Sequence, residues 1–171
     1  NTHVPIWLLG SSLFSARLAA QKGLPYAFAS HFAPGMLLEA LDLYRSEFKP
    51  SAALAKPYAI VGVPVIAAPT DDEAEFLASS VYQRVLGILT GKRGLLQPPI
   101  SGFWAQVPAH ARDAIQDFLA VAVIGGPDKI QAGLNQIAQA TQADEFMFVC
   151  DIYDPALRLR SLDLVTQAMR N

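Results

Sequence analysis

The sequence predicts an α/β chain of parallel strands with outer helices. Three observations predict it. Short apolar runs occur at residues 4–9, 26–30, 58–67 and 145–150. Each is followed by a segment with apolar residues at helical spacing. Glycine, proline or a small hydroxyl residue marks most of the junctions. Four such strand–helix units make half of a (β/α)8 TIM barrel or a small open doubly wound sheet, and periodicity alone fits both. In either architecture functional groups collect at the carboxyl ends of the strands.

Residues 4–9 read as a buried strand entered through Pro5 and broken by Gly10-Ser11-Ser12. Ser11 or Ser12 then caps a helix reaching Lys22, and Gly23 supplies the left-handed residue that ends it. Pro25 leads into the second strand. Pro34-Gly35 opens a helix whose Leu37, Leu41, Tyr44 and Phe48 form one stripe. Pro57 introduces the third strand. Thr70-Asp71-Asp72-Glu73 has the capping-box pattern, and its helix carries Ala74, Leu77, Val81, Val85 and Ile88 on one face. Residues 90–108 hold Gly91, Gly94, Gly102, Pro98 and Pro99 around Phe103 and Trp104. They read as a long excursion within one domain spanning residues 1–171. A helix is expected from Pro108 to about Leu119, and another after Gly125-Gly126-Pro127 with Ile130, Leu134, Ile137 and Thr141 inward. Residues 145–150 form the fourth strand. Asp154 as N-cap and Pro155 in the first turn start the last helix.

The 171 residues suffice for a sizeable core. Apolar residues make up 52% and charged residues 16%, and mean hydropathy is positive. That balance implies apolar surface meant to be covered by more protein. A net charge of −2 points to neither nucleic acid nor an acidic membrane surface as partner. The single cysteine, Cys150, permits no intrachain disulfide and fits a reducing, cytoplasmic setting. The long uncharged run at 94–111 is interrupted by Pro98, Pro99 and Pro108, so no membrane-spanning helix is expected. Residues 1–16 lack a basic leader, so no signal peptide is expected. A strand that starts so soon after Asn1 reads as a fragment or a processed chain.

The strand end at Gly10-Ser11-Ser12 is the most informative chemistry. Free N–H groups and small hydroxyls at a helix start, with Ser15 one turn in, form a cradle for a phosphate dianion. Gly10 would let the backbone approach it closely. Equally, Ser12 would serve only as a cap. His31, between Ser30 and Phe32, stands at the next strand end, either as a hydrogen-bond donor to a ligand or as a loop histidine satisfied by backbone. Residues 90–108 read as a lid over the site, or as a loop with a solvated Lys92-Arg93 turn. Cys150 has no recognisable base and reads as packing. His3 and His110 lack metal-ligand spacing, and no metal site is expected. Asp71, Asp72 and Glu73 are helix-start acids rather than a catalytic pair. Gly125-Gly126-Pro127 lacks the third glycine of a dinucleotide fingerprint.

The block Leu9-Gly10-Ser11-Ser12-Leu13-Phe14-Ser15-Ala16 and the later Gly23-Leu24-Pro25-Tyr26-Ala27-Phe28-Ala29-Ser30-His31-Phe32 resemble the bacterial luciferase-like monooxygenases. Ile124-Gly125-Gly126-Pro127 and Ala143-Asp144-Glu145-Phe146-Met147 also match that family's closing segments. The resemblance implies the C-terminal half of a (β/α)8 barrel. It implies a flavoprotein that uses reduced FMN, or less often the deazaflavin F420, with O2 to oxidise a small organic substrate. Carried over, Gly10, Ser11, Ser12 and Ser15 would hold the flavin phosphate and His31 would approach the ring or substrate. Partners would be the missing N-terminal half and, through open sheet edges, further copies of the chain. The rival reading is a non-catalytic flavin-binding or structural half-barrel that needs a partner chain.

Overall fold

The computed structural model describes residues 4–170. In chain order it contains β1 (Leu8–Gly10), α1 (Leu13–Lys22), β2 (Tyr26–Phe28), α2 (Leu37–Ser46), β3 (Ala59–Ala67), α3 (Asp71–Leu89), α4 (Ala109–Phe118), β4 (Val123–Gly125), α5 (Pro127–Thr141), β5 (Glu145–Val149) and α6 (Pro155–Ala168). Short 3-10 turns stand at Pro34–Met36 and Phe103–Gln106. The chain forms two compact units. One runs up to Val63 and takes in Ile137–Met147; the other holds Pro64–Gln136 and the residues from Phe148 onward. The chain passes between them within β3, α5 and β5.

In the first unit β1, β2 and the start of β3 are parallel. Leu8 stands opposite Tyr26 and Tyr26 opposite Ala59, with Gly10 opposite Phe28 and Phe28 opposite Val61. Alternation along each strand puts these rows on one face. On it Tyr26, Phe28, Ala59 and Val61 are all buried, beside the packed pair α1 and α2. Small residues at Ala16, Ala19 and Ala20 let the two helices approach closely. The buried Tyr44 hydroxyl donates to the Leu24 carbonyl at 2.9 Å and accepts the Tyr58 N–H at 3.1 Å. It thereby satisfies backbone groups just before β2 and β3. The intervening row, Leu9–Ala27–Ile60, lies on the opposite face, and Leu9 is 72% exposed.

Helix ends follow the sequence signals. Gly23 closes α1 at φ 60°, and its N–H reaches back to the helix carbonyls. Asp154 caps α6, accepting the N–H groups of Ala156 and Leu157 at 2.8 and 3.0 Å. At α3 the box is half formed. The Thr70 hydroxyl accepts the Glu73 N–H at 3.2 Å, while the Glu73 carboxylate turns away to pair with Arg160. The reciprocal box closes at Ser12 and Ser15 instead.

Two strand boundaries differ from expectation by more than one residue. The first strand starts at Leu8 rather than Val4. The last backbone group it meets is the Pro25 carbonyl, which takes the Leu8 N–H at 3.0 Å, and Val4 and Ile6 remain exposed. The second strand ends at Phe28, because Ala29 and Ser30 turn to place the buried Ser30 hydroxyl on the Gly62 carbonyl.

In the second unit the end of β3 pairs in parallel with β4, with Val65, Ile66 and Ala67 opposite Val123, Ile124 and Gly125. β5, which begins in the first unit and ends in the second, also pairs with β3. The core joins Ile66, Leu77, Val81, Val85, Phe103, Ile115 and Ile152. The inner face of α3 matches the sequence reading at Ala74, Leu77, Val81 and Val85. β4 was not expected: three apolar residues between helices carry no readable period.

Within this core the buried Ser161 hydroxyl accepts the Ala67 N–H at 2.8 Å. Ser161→Ala would leave that N–H without an acceptor. We expect a loss of about 1–3 kcal/mol in denaturant unfolding; an unchanged midpoint would show that Ala67 finds another partner.

Candidate functional site

The candidate site in the first unit follows from the register. With Gly10 opposite Phe28, the turns after β1 and β2 leave the same edge of the ladder, and α1 starts there. The Gly10 carbonyl extends the ladder by accepting the Ala29 N–H at 2.9 Å. Ser12 is the N-cap, in extended backbone, and its side chain is exposed. Its hydroxyl accepts the Ser15 N–H at 3.4 Å. The Ser15 hydroxyl donates to the Ser12 carbonyl at 2.8 Å and lies 3.0 Å from the Tyr26 hydroxyl. Burial pushes the Tyr26 phenol above its ordinary pKa, against the smaller opposing effect of the Ser15 hydrogen bond.

Three features suit an anion here. Leu13 and Phe14 open the helix, so their N–H groups have no carbonyl one turn earlier to bond. The first turn holds no acid, unlike α3, which carries Asp71, Asp72 and Glu73. Ser11 is half-buried and Ser12 exposed, so small hydroxyls flank those N–H groups. These residues fit a phosphate ester. Gly10 has a structural use within the turn itself. A methyl at this position would run into the Ser15 side chain, so the space it leaves is filled by Ser15.

His31 is half-buried in the turn after β2. Its ring lies 4.2 Å from the exposed Phe32 ring, centre to centre. Beneath it is Gly62, where a methyl would come within 3.3 Å of His31 Nδ1. Sequence reasoning missed both Gly62 and the Tyr26 hydroxyl. A glycine inside a strand was the one available signal for a close approach.

In the second unit the strand-end residues have structural partners. Asp71 accepts the Gly126 N–H at 2.6 Å, and Asp151 pairs with Arg84 at 2.7 Å. Cys150 is half-buried; burial, the largest influence, raises its thiol above its ordinary pKa of 9.0. The excursion lies along α3: the Ile100 N–H donates to Ser79 Oγ at 2.8 Å and Gln83 Nε2 donates to the Pro98 carbonyl at 2.9 Å. Lys92 and Arg93 are exposed, as a solvated basic turn would be. His110 is exposed on α4, and His3 lies outside the described residues.

The sequence profile of the family described as "Luciferase-like monooxygenase" matches residues 1–145. A protein of Escherichia coli K12 with that same description is 48% identical over 164 residues, covering 94% of this chain and 48% of that protein. The chain thus spans about half the length of the curated relatives it matches. The crystal structure of apo-MsnO8 superposes with a TM-score of 0.87 at 35% identity, over 97% of this chain and 51% of that one. Two more distant structures share the fold alone. One is the FMN-bound oxygenating constituent of 3,6-diketocamphane monooxygenase from Pseudomonas putida, with a TM-score of 0.62, 22% identity and cover of 96% of this chain and 47% of that one. The other is the coenzyme F420-dependent tetrahydromethanopterin reductase of Methanopyrus kandleri, with a TM-score of 0.62, 13% identity and cover of 96% and 50%. The fold class is that of half a (β/α)8 barrel, with parallel strands and outer helices.

Two measurements check the local physics. Gly10→Ala should force Ser15 aside and open the capping box, at about 1–3 kcal/mol in denaturant unfolding. A neutral result would mean that α1 starts elsewhere. Cys150 should alkylate slowly at neutral pH in the folded protein and at the rate of a free thiol in urea. Because its folded pKa is raised, its contribution to stability is complete below pH 9.0 and falls away as pH climbs through the folded value. Equal alkylation rates in both states would refute the burial.

Proposed function

The chain belongs to the luciferase-like monooxygenase family, and on that premise we propose that it is the C-terminal half of a flavin-dependent barrel that oxidises a small organic substrate with reduced FMN and O2. The observation that carries the reading is the start of α1, where exposed Ser12 and unbonded helix N–H groups stand at the carboxyl edge of β1 with no acid in the first turn. Gly10, Ser11, Ser12 and Ser15 form the phosphate cradle. Ser12 and the backbone grip the ester directly, and Ser15, held by the Ser12 carbonyl and the Tyr26 hydroxyl, keeps the turn in shape. Bound there, the reduced flavin supplies the electrons that activate O2. His31, carried on the next turn and backed by Gly62, is the catalytic candidate, holding or receiving a proton at its imidazole beside ring or substrate. Exposed Phe14 and Phe32 keep water from the reacting atoms once the other half of the barrel closes over them.

Partners follow from the same reading. The exposed Leu9 on the row Leu9–Ala27–Ile60 supports cover by an N-terminal half, and the matched relatives are about twice as long as this chain. Further copies of the chain are the second partner proposed. Among the described residues no helix is long and apolar enough to cross a membrane; the cytoplasm is the proposed location. FMN is proposed over F420, and titration with each separates them.

The inward turn of the Ser15 hydroxyl favours a second reading, a structural half-barrel whose serines only cap a helix. Ser12→Ala decides between the two. In the intact barrel it should weaken FMN binding by about 1.5–3 kcal/mol, read by flavin fluorescence titration. Unchanged FMN affinity with a lowered melting temperature would leave the cap and remove the cradle.

A further inference from the structure

A separate cavity lies wholly within the second unit, between the first half of α3 and the excursion. We propose that it binds an organic cation, an ammonium head on a small apolar body. This stands independently of the flavin reading. The cavity holds about 320 Å³, at the small end of ligand sites. Its walls are Asp72, Glu75, Phe76, Tyr82, Phe103 and Trp104, with Ser101 and the loop backbone at one side. Two carboxylates line it and no basic side chain does.

The centre of the wall is built around Glu75. Trp104 Nε1 donates to one carboxylate oxygen at 2.6 Å and the Tyr82 hydroxyl donates to the other at 2.9 Å. Both donors are neutral, so the carboxylate is oriented without being neutralised. Burial and Glu75 together push the Tyr82 phenol far above its ordinary pKa, which keeps its proton on the donor. The Tyr82 and Trp104 rings meet at 4.6 Å and 42°, and Phe103 meets Trp104 at 5.2 Å and 74°. Tyr82 and Phe103 are buried, so the aromatic surface open to a ligand is that of half-buried Trp104 and exposed Phe76, and such surface favours a cation over an anion.

The neighbouring acids are employed elsewhere. Asp71 binds the Gly126 N–H, and Glu73 pairs with Arg160. Asp72 suits the helix start by itself. Glu75 lies beyond the acids of the first turn, so the helix dipole does not account for it. Asp72 and Glu75 are both exposed and hydrated, so a neutral ligand gains nothing from them, an anionic ligand would face two carboxylates, and a cation is drawn to both. An ammonium ion on a compact apolar body satisfies rings and carboxylates together.

The test uses choline chloride as the cationic probe and dimethylbutanol, its neutral carbon isostere, with calorimetry and tryptophan emission as readouts. Choline should give a saturable signal in the wild-type protein, weakened by raised salt, and the isostere should bind roughly tenfold more weakly or not at all. Glu75→Gln should weaken choline binding by about tenfold while circular dichroism stays unchanged. If that variant fails to fold, Asp72→Asn, on the exposed first turn, takes its place with a smaller loss of the same sign. No saturation with choline, equal binding of the isostere, or undiminished choline binding in a folded Glu75→Gln protein would each overturn the proposal.

Discussion

The register that sets Leu8, Tyr26 and Ala59 side by side is the constraint on which the candidate site depends. Parallel pairing sends every strand out at the same edge, so the turn holding Ser11 and Ser12 and the turn holding His31 are brought to that edge by the ladder alone. A slip of one residue would carry Tyr26 and Phe28 to the opposite face and turn Leu9 inward. Burial of the two aromatic rings, several kcal/mol in all by the usual area argument, holds that register. Tyr44, fastening the backbone ahead of β2 and β3, acts in the same direction.

Ser15 ties local support to the proposed phosphate site. One hydroxyl completes the capping box, meets the Tyr26 phenol and fills the gap above Gly10. The turn is thereby held in shape before any ligand arrives, which would lower the ordering cost of the anion binding proposed at its edge. His31 is treated alike: Gly62 leaves room for the ring and Phe32 flanks it.

Much of this was legible in the sequence because local signals and tertiary structure agree. Gly23, Asp154 and Pro155 stand where helix-end chemistry wants them, and the α3 stripe faces the core it was read to face. What stayed hidden depends on partners distant along the chain. Glu73 was read as closing a capping box, yet Arg160, eighty-seven residues on, takes its carboxylate. That Ser15 packs against Gly10 could not be read from spacing, since a contact across the turn leaves no signal in one dimension. The Glu75–Tyr82–Trp104 cluster joins a helix to an aperiodic excursion, and no periodicity links them. Family resemblance carried the choice of barrel over open sheet; strand and helix patterning had left both standing.

The two tryptophans of the chain fall one in each compact unit. Trp7 sits edge-on to Tyr58 at 5.7 Å, and Trp104 lies among Tyr82 and Phe103 with its indole N–H on Glu75. Nature has thus wired a separate optical gauge into each unit. Replacing either indole in turn makes the surviving one a local thermometer, so that the order in which the two parts come apart becomes visible in a single emission band.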